Sequence, residues 1–328
     1  MPNFLAHHLL IKDLYVKYNT KLPYDERGFL KNNFLYLFWG SQGPDPLFYN
    51  GVLPHNGLHL ITSFKMLGNK LHKDDGEKLL DIMINHYNEL EENKDAIKSF
   101  ILGQVAHYLL DSTTHPFILY ESGFNSEGRI KGEYHYAHAH YEMLIDVSLA
   151  KRFDIEMFNI YPYEYLYCTK ETLKVIDSFF VDVLKEYFDG KKIYKKVYSN
   201  GVKNMFSLVK FINEGSNIRP YLFFKSSLSA LRIEKNEIKE DVLNLSHEKW
   251  YHPVTKKEST SSFIDLFNET SEKLTSLYLE IKDKDKLDIN DFKKYLSGLD
   301  YYGKEKDSQL TYWKNNIINN SENIENNN

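Results

Sequence analysis

His107, Asp111 and His115 recur at every fourth position in GQVAHYLLDSTTHPF, and His138 and Glu142 repeat that interval in YHYAHAHYEMLID. On an α-helix, residues i and i+4 stack on one face, so each pair can turn an imidazole nitrogen and a carboxylate oxygen toward a common point. Those donors suit Zn²⁺, which in catalytic sites also keeps a position open for water. A single pair reads as a polar stripe on a solvated helix. Two pairs, one extended by a third ligand type and both set among Val105, Leu109, Leu110, Leu144 and Ile145, read as metal ligands. Of 13 histidines, the 11 that precede residue 141 concentrate the candidate chemistry in the first half of the chain.

Composition narrows what such a centre serves. The 328 residues are 42% hydrophobic, enough for a sizeable core. A net charge of −5 provides no basic field to gather nucleic acid or anionic membrane nonspecifically, so no stable nucleic-acid partner is expected. The lone Cys168 excludes an internal disulfide and a thiolate cage, which leaves His, Asp and Glu to bind metal. No apolar run reaches the roughly 18 residues of a transmembrane helix. The start, MPNFLAHHLLIKDLY, lacks the basic region and cleavage site of a signal peptide, so a soluble cytoplasmic protein is expected.

The elements that must carry these residues are helical. Apolar positions three to four apart predict helices from about Pro2 to Tyr18, Tyr24 to Phe38, Pro54 to Leu67 and Asp74 to Leu90. Asn93 reads as the N-cap of a long helix bearing His107 and Asp111, and Pro116 as its stop just past His115. A loop with Gly123, Gly128 and Gly132 leads to the helix of His138 and Glu142. Further helices are predicted at about Thr169 to Phe188, Gly201 to Ile212, Arg219 to Arg232, Ser261 to Ile281 and Asn290 to Leu296, with a charged linker over Lys282 to Asp291. No alternating strand pattern, internal repeat or phosphate-binding glycine loop is present. The expectation is an all-α, single multi-helix bundle-like domain over residues 1–314, followed by a disordered Asn-rich tail, 315–328.

An early His7, the loop aspartate Asp45 in GSQGPDP, His59 fourteen residues later, the run His107, Asp111, His115 and the closing His138 and Glu142 together resemble the zinc-dependent phospholipase C family. NLSHEKWYHPV followed by SSFIDLF is similar to the closing helices of bacterial members, and no sequence remains for the C-terminal lipid-binding β-sandwich of the secreted toxins. The resemblance implies the catalytic domain alone, with a site of two to three zinc ions. By it, Asp45, His59, His107 and Asp111 hold one ion, and Asp111 bridges to another. His115, His138 and Glu142 hold a more exposed ion, and His7, Asp111 and the chain's N-terminal residue complete the third. Asp45 is implied as catalytic, activating water as well as ligating. The fold is shared with single-strand-specific zinc nucleases.

Alternatives sit beside several of these positions. His8 competes with His7, and His55 with His59. His59 is expected to be the ligand, since its distance from Asp45 matches the family and His55 adjoins Pro54 at a predicted helix start. His135, three residues before His138, could join the site or cap its helix, whereas His140 lies on another face and reads as a surface residue. Asp146, one turn past Glu142, is expected to orient a ligand imidazole, and His247 and His252 to be structural. Three functions fit this pattern: a zinc phosphodiesterase acting on a phospholipid headgroup, a nuclease or phosphomonoesterase of the same fold, and a zinc-binding protein without turnover. The motif order favours the first.

Overall fold

Apolar residues spaced three and four apart fold into helices through most of the chain, and a single two-stranded ribbon is the only strand structure among the described residues. The computed structural model describes residues 4–19, 28–50, 62–155, 161–214, 228–233 and 238–315. Its α-helices are α1 (Phe4–Asn19), α2 (Gly28–Asn32), α3 (Phe34–Ser41), α4 (Thr62–Leu71), α5 (Glu77–Asn88), α6 (Lys94–Ser122), α7 (Glu133–Arg152), α8 (Lys170–Tyr187), α9 (Val197–Asn213), α10 (Phe263–Ile281) and α11 (Ile289–Lys293). A 3₁₀ turn, Asp45–Tyr49, follows α3, and strands β1 (Trp250–Tyr251) and β2 (Glu258–Ser259) pair antiparallel. The expected all-α architecture is the one observed.

α6 is the axis of the molecule. Nearly every residue from Ala96 to Tyr120 is buried, so this helix is covered all round instead of on one stripe. Any polar side chain it carries at that depth must find its partners inside the protein. α3 crosses α6 where Gly40 meets Gly103. A Cβ on Gly103 would lie 2.4 Å from the Leu37 carbonyl oxygen, and one on Gly40 would lie 2.2 Å from that of Phe100. The missing side chains let two backbones touch, which brings the segment after α3 alongside the middle of α6.

Behind this crossing, Phe100, Phe179, Phe180 and Tyr198 pack edge to face. The Tyr198 hydroxyl donates to the Trp39 carbonyl at 2.5 Å. α9 then clamps the 3₁₀ turn from outside, with Asn204 Nδ2 donating to Tyr49 O at 2.9 Å and Asn50 Nδ2 to Val197 O at 2.9 Å. One apolar core runs from Phe4 to Tyr301, so segments late in the chain share it with the first helices.

Local signals explain three helix starts. Thr169 accepts from Thr172 N at the head of α8, and Ser262 with Asp265 and Asp288 with Asp291 form capping boxes on α10 and α11. Several expected boundaries shift. Pro116 does not stop α6, which continues to Ser122 because burial of its whole surface outweighs the one missing hydrogen bond. Asn93 occupies the N-cap position, but in a left-handed conformation (φ 58°) without a side-chain cap bond. The predicted helix over Tyr24 to Phe38 is broken at Asn33, and α9 begins at Val197, ahead of Gly201. Residues 282–288 are docked as well as charged: buried Lys98 donates to the carbonyls of Lys282 and Lys284, both at 2.7 Å, and Asn88 pairs with the backbone of Leu287. Most of the predicted helices over Pro54 to Leu67 and Arg219 to Arg232, and the tail from residue 316, lie outside the described residues.

The net charge of −5 conceals a local excess. α8 and α9 border a groove of about 720 Å³ lined by Lys170, Lys174, Lys185, Lys195, Lys196 and Lys203 against Asp177 and Asp182. Among the described residues no helix is long and apolar enough to cross a membrane.

Because Gly103 Cα faces backbone atoms that cannot swing aside, Gly103→Ala is expected to cost about 2 kcal/mol of stability, the scale of overpacking in a close-packed core. Urea unfolding of the variant checks this, and a midpoint equal to wild type would show that the crossing relaxes freely.

Candidate metal centre

Five elements converge on one face of α6. His107, Asp111 and His115 stand on consecutive turns of that helix, His7 comes from α1, and His138 and Glu142 from α7. Asp45 opens the 3₁₀ turn, and His72 directly follows α4. All eight side chains are buried, and they form three groups whose nitrogen and oxygen atoms lie within 4.8 Å of one another: His7, His107 and Asp111; Asp45, His72 and His107; and His115, His138 and Glu142.

Asp111 is the hub. Its Oδ1 lies 3.2 Å from His7 Nε2 and 3.8 Å from His115 Nδ1, and its Oδ2 lies 3.1 Å from His107 Nε2. Asp45 Oδ1 is 3.0 Å from His72 Nε2 and 3.9 Å from His107 Nε2. In the third group, Glu142 Oε1 is 3.2 Å from Nε2 of both His115 and His138. Imidazoles stack in pairs, His7 on His107 with centroids 4.2 Å apart and His115 on His138 at 5.3 Å.

Backbone carbonyls hold three of these rings from behind. His107 Nδ1 lies 3.0 Å from Ser41 O, His115 Nδ1 3.0 Å from Asp111 O, and His72 Nδ1 2.8 Å from Gly68 O. A proton on each Nδ1 satisfies that carbonyl and turns Nε2 inward, the arrangement that orients imidazole ligands of metals, with His115 Nε2 hydrogen-bonded to Glu142 Oε1 at 3.2 Å. Other inward atoms lack such partners: His7 Nε2, Asp45 Oδ1, His72 Nε2, His107 Nε2, Asp111 Oδ2, His138 Nε2 and Glu142 Oε2 are buried without a hydrogen bond. Several of their contacts are as short as hydrogen bonds but lack the required angles. Acceptors aimed at acceptors cannot satisfy one another, and each unmatched buried group costs on the order of 1–3 kcal/mol. The donor set, five imidazoles and three carboxylates, fits Zn²⁺.

The electrostatics agree with that fit. Burial opposes charge on Asp111, yet His107 and His115 hold its carboxyl well below the usual range. Glu142 is likewise depressed despite burial, by His138 and His115. Burial would lower His115, but Asp111 and Glu142 raise it to about 9. Asp111 and Glu142 thus favour their ionised forms, which suits a cation held between them and the imidazoles.

The structure brings together His7, Asp45, His107, Asp111, His115, His138 and Glu142. His8 faces away, its ring set edge-on among Phe34, Phe38 and Tyr165, where burial and Lys12 push it down to about 4. His59 and His55 lie outside the described residues, as does the N-terminal residue. The imidazole beside Asp45 is His72, which the sequence reading did not single out. Its ligand-like signal was weak, a lone histidine after a helix in NKLHKDDG. His135 is exposed and belongs to none of the three groups, and His140 stacks on Tyr136 at 5.5 Å. Asp146 touches backbone, accepting from Leu5 N and Ala6 N at 3.0 Å each. It therefore orients the helix that carries His7, and not an imidazole directly. His252 Nδ1 accepts from Val254 N and Thr255 N in the β1–β2 turn, and His247 Nδ1 lies 3.0 Å from Thr260 O, both structural contacts. Two rings from the C-terminal segment also reach the centre: Tyr301, against His72 at 4.9 Å and His107 at 5.7 Å, and Tyr302, against His115 at 5.4 Å.

Clustered buried imidazoles and carboxylates around one central helix of an all-helical protein define, as a class, a candidate metalloprotein. Residues 1–194 match the family model for zinc dependent phospholipase C, and the chain belongs to that family. No curated protein and no solved structure matches it.

Zinc content separates these assignments. Asp111→Asn is expected to lose the most zinc, since Asp111 touches ligand atoms of two groups, and His72→Ala to lose zinc where His8→Ala does not. Elemental analysis of the purified variants reads this directly. Equal zinc in His72→Ala and wild type would remove His72 from the centre.

Proposed function

We propose that this chain is a zinc-dependent phosphodiester hydrolase of the phospholipase C type, acting on the phosphate ester of a phospholipid headgroup. The observation that carries the reading is the set of buried, inward-facing lone pairs with no hydrogen-bond partner, within the stretch that matches the family. One imidazole nitrogen binds one ion, so His107 serves only one of the two groups that share it. On this reading Asp45, His72, His107 and Asp111 would hold one zinc, His115, His138 and Glu142 a second, and His7 with Asp111 a third, two to three ions in all. Residues 1–314 are read as a single domain supporting this centre.

Zinc in such a set supplies a nucleophile near neutral pH and charge to balance a phosphate. The chain's part is placement. Asp45 is held by a turn that α9 clamps at Tyr49 and Asn50, and its carboxylate is the acceptor assigned to the proton of the attacking water. Asp111 keeps its negative charge between the groups, where neighbouring imidazoles stabilise it. Tyr301, only 2% exposed, closes the side of His72 and His107 against solvent and so keeps the local dielectric low.

The test is hydrolysis of short-chain phosphatidylcholine presented as monomers, with a single-stranded oligonucleotide assayed in parallel. Zinc-loaded protein is expected to release the phosphorylated headgroup, to lose that activity on chelation, and to lose about a hundredfold or more in kcat with Asp45→Asn, the scale of general-base catalysis. His138→Ala controls for contaminating activity. Cleavage of the oligonucleotide alone would make the chain a nuclease, and inactivity on both with zinc bound would make it a binding protein.

A further inference from the structure

The loop from Ser297 to Lys304 reaches the metal centre from beyond residue 194, outside the stretch that matches the family. It is bound to the site's own walls. Tyr108 Oη donates to Leu299 O at 2.8 Å and pairs with Ser297 Oγ at 3.1 Å, while Tyr301 N donates to the carbonyl of His72 at 3.2 Å. Asp300 stiffens the turn, with Oδ1 accepting from Tyr302 N at 2.9 Å and Lys304 N at 3.2 Å and Oδ2 paired with Lys304 Nζ at 3.2 Å. Gly303 then lies flush on α6 with φ 71°, where a Cβ would come within 2.5 Å of Ser112 O and 2.6 Å of Pro116 Cγ. No other residue type fits both that conformation and that contact.

The effect is to hold Tyr302 between two fixed neighbours in the chain. Tyr301 is fully packed, but Tyr302 is only partly buried, and its ring lies 5.4 Å from His115 and 6.5 Å from His138. A tyrosine hydroxyl can donate as well as accept, and among the described residues that of Tyr302 forms no hydrogen bond.

We infer that Tyr302 is a substrate-contacting residue, its hydroxyl donating a hydrogen bond to a phosphoryl oxygen of the ligand held at the His115, His138 and Glu142 group. The inference rests on the proposal that this centre takes a phosphate ester, but the contact is shared by any phosphate, whether a lipid headgroup or the free anion. It assigns the C-terminal segment a direct share in recognition.

Removing the hydroxyl while keeping the ring tests it. Zinc-loaded wild type, Tyr302→Phe and Tyr295→Phe are titrated with inorganic phosphate by calorimetry and assayed on short-chain phosphatidylcholine. Tyr295→Phe is the control, since it deletes a phenol that bonds Glu280 on the surface. Tyr302→Phe is expected to weaken phosphate binding about tenfold, the scale of one hydrogen bond to a charged group, and to lower kcat/KM by a similar factor with zinc content unchanged. Tyr295→Phe should match wild type in every readout. Unchanged phosphate affinity in Tyr302→Phe, loss of zinc from it, or no phosphate binding by wild type would each overturn the inference. A wild type that binds phosphate, loses affinity in Tyr302→Phe and cleaves no lipid would overturn the phospholipase reading and leave this one standing.

Discussion

Three carboxylates lie in the interior of a helical protein facing imidazoles, and one buried oxygen of each has no hydrogen-bond partner. Isolated charge at that depth is prohibitive unless paired or bound to a cation. The whole arrangement follows from managing that cost. α6 supplies three ligands on one face because its complete burial puts them beyond the reach of solvent. α3 approaches through paired glycines so that the Asp45 turn can stand opposite His107. Asp146, itself buried, ties down the first turn of α1 and with it His7.

The part of this design legible in the sequence is the part encoded by local spacing. Intervals of four residues revealed His107, Asp111, His115, His138 and Glu142, because a helix converts such intervals into adjacency without any tertiary knowledge. Helix positions were legible for the same reason, and the all-α class followed. His72 carries no such signature. Its place beside Asp45 depends on how the end of α4 meets the 3₁₀ turn, a long-range fact that spacing within one element cannot express. Tyr302 was hidden among 25 tyrosines, since only the course of the last loop distinguishes it. Pro116 misled for a different reason: a local stop signal was overridden by packing around α6 worth more than one hydrogen bond.

The second half of the chain does more than cover the first. α9 clamps the Asp45 turn, Lys98 and Asn88 anchor the backbone between α10 and α11, and the segment after α11 brings two tyrosines onto the imidazoles. The match to the family ends at residue 194, yet the apolar core does not, running on to Tyr301. Candidate ligands from the first half and the rings that cover them from the second thus rest on one apolar core.

The dependence of this structure on metal is tested most directly by crystals of the zinc-loaded protein measured above and below the zinc absorption edge. The expected anomalous difference map shows two to three peaks, each about 2.0–2.2 Å from its nitrogen and oxygen ligands, with Asp111 between two of them and His72 Nε2 on the one that Asp45 shares. A map without peaks at these positions, with the imidazoles and carboxylates hydrogen-bonded to ordered water instead, would contradict it.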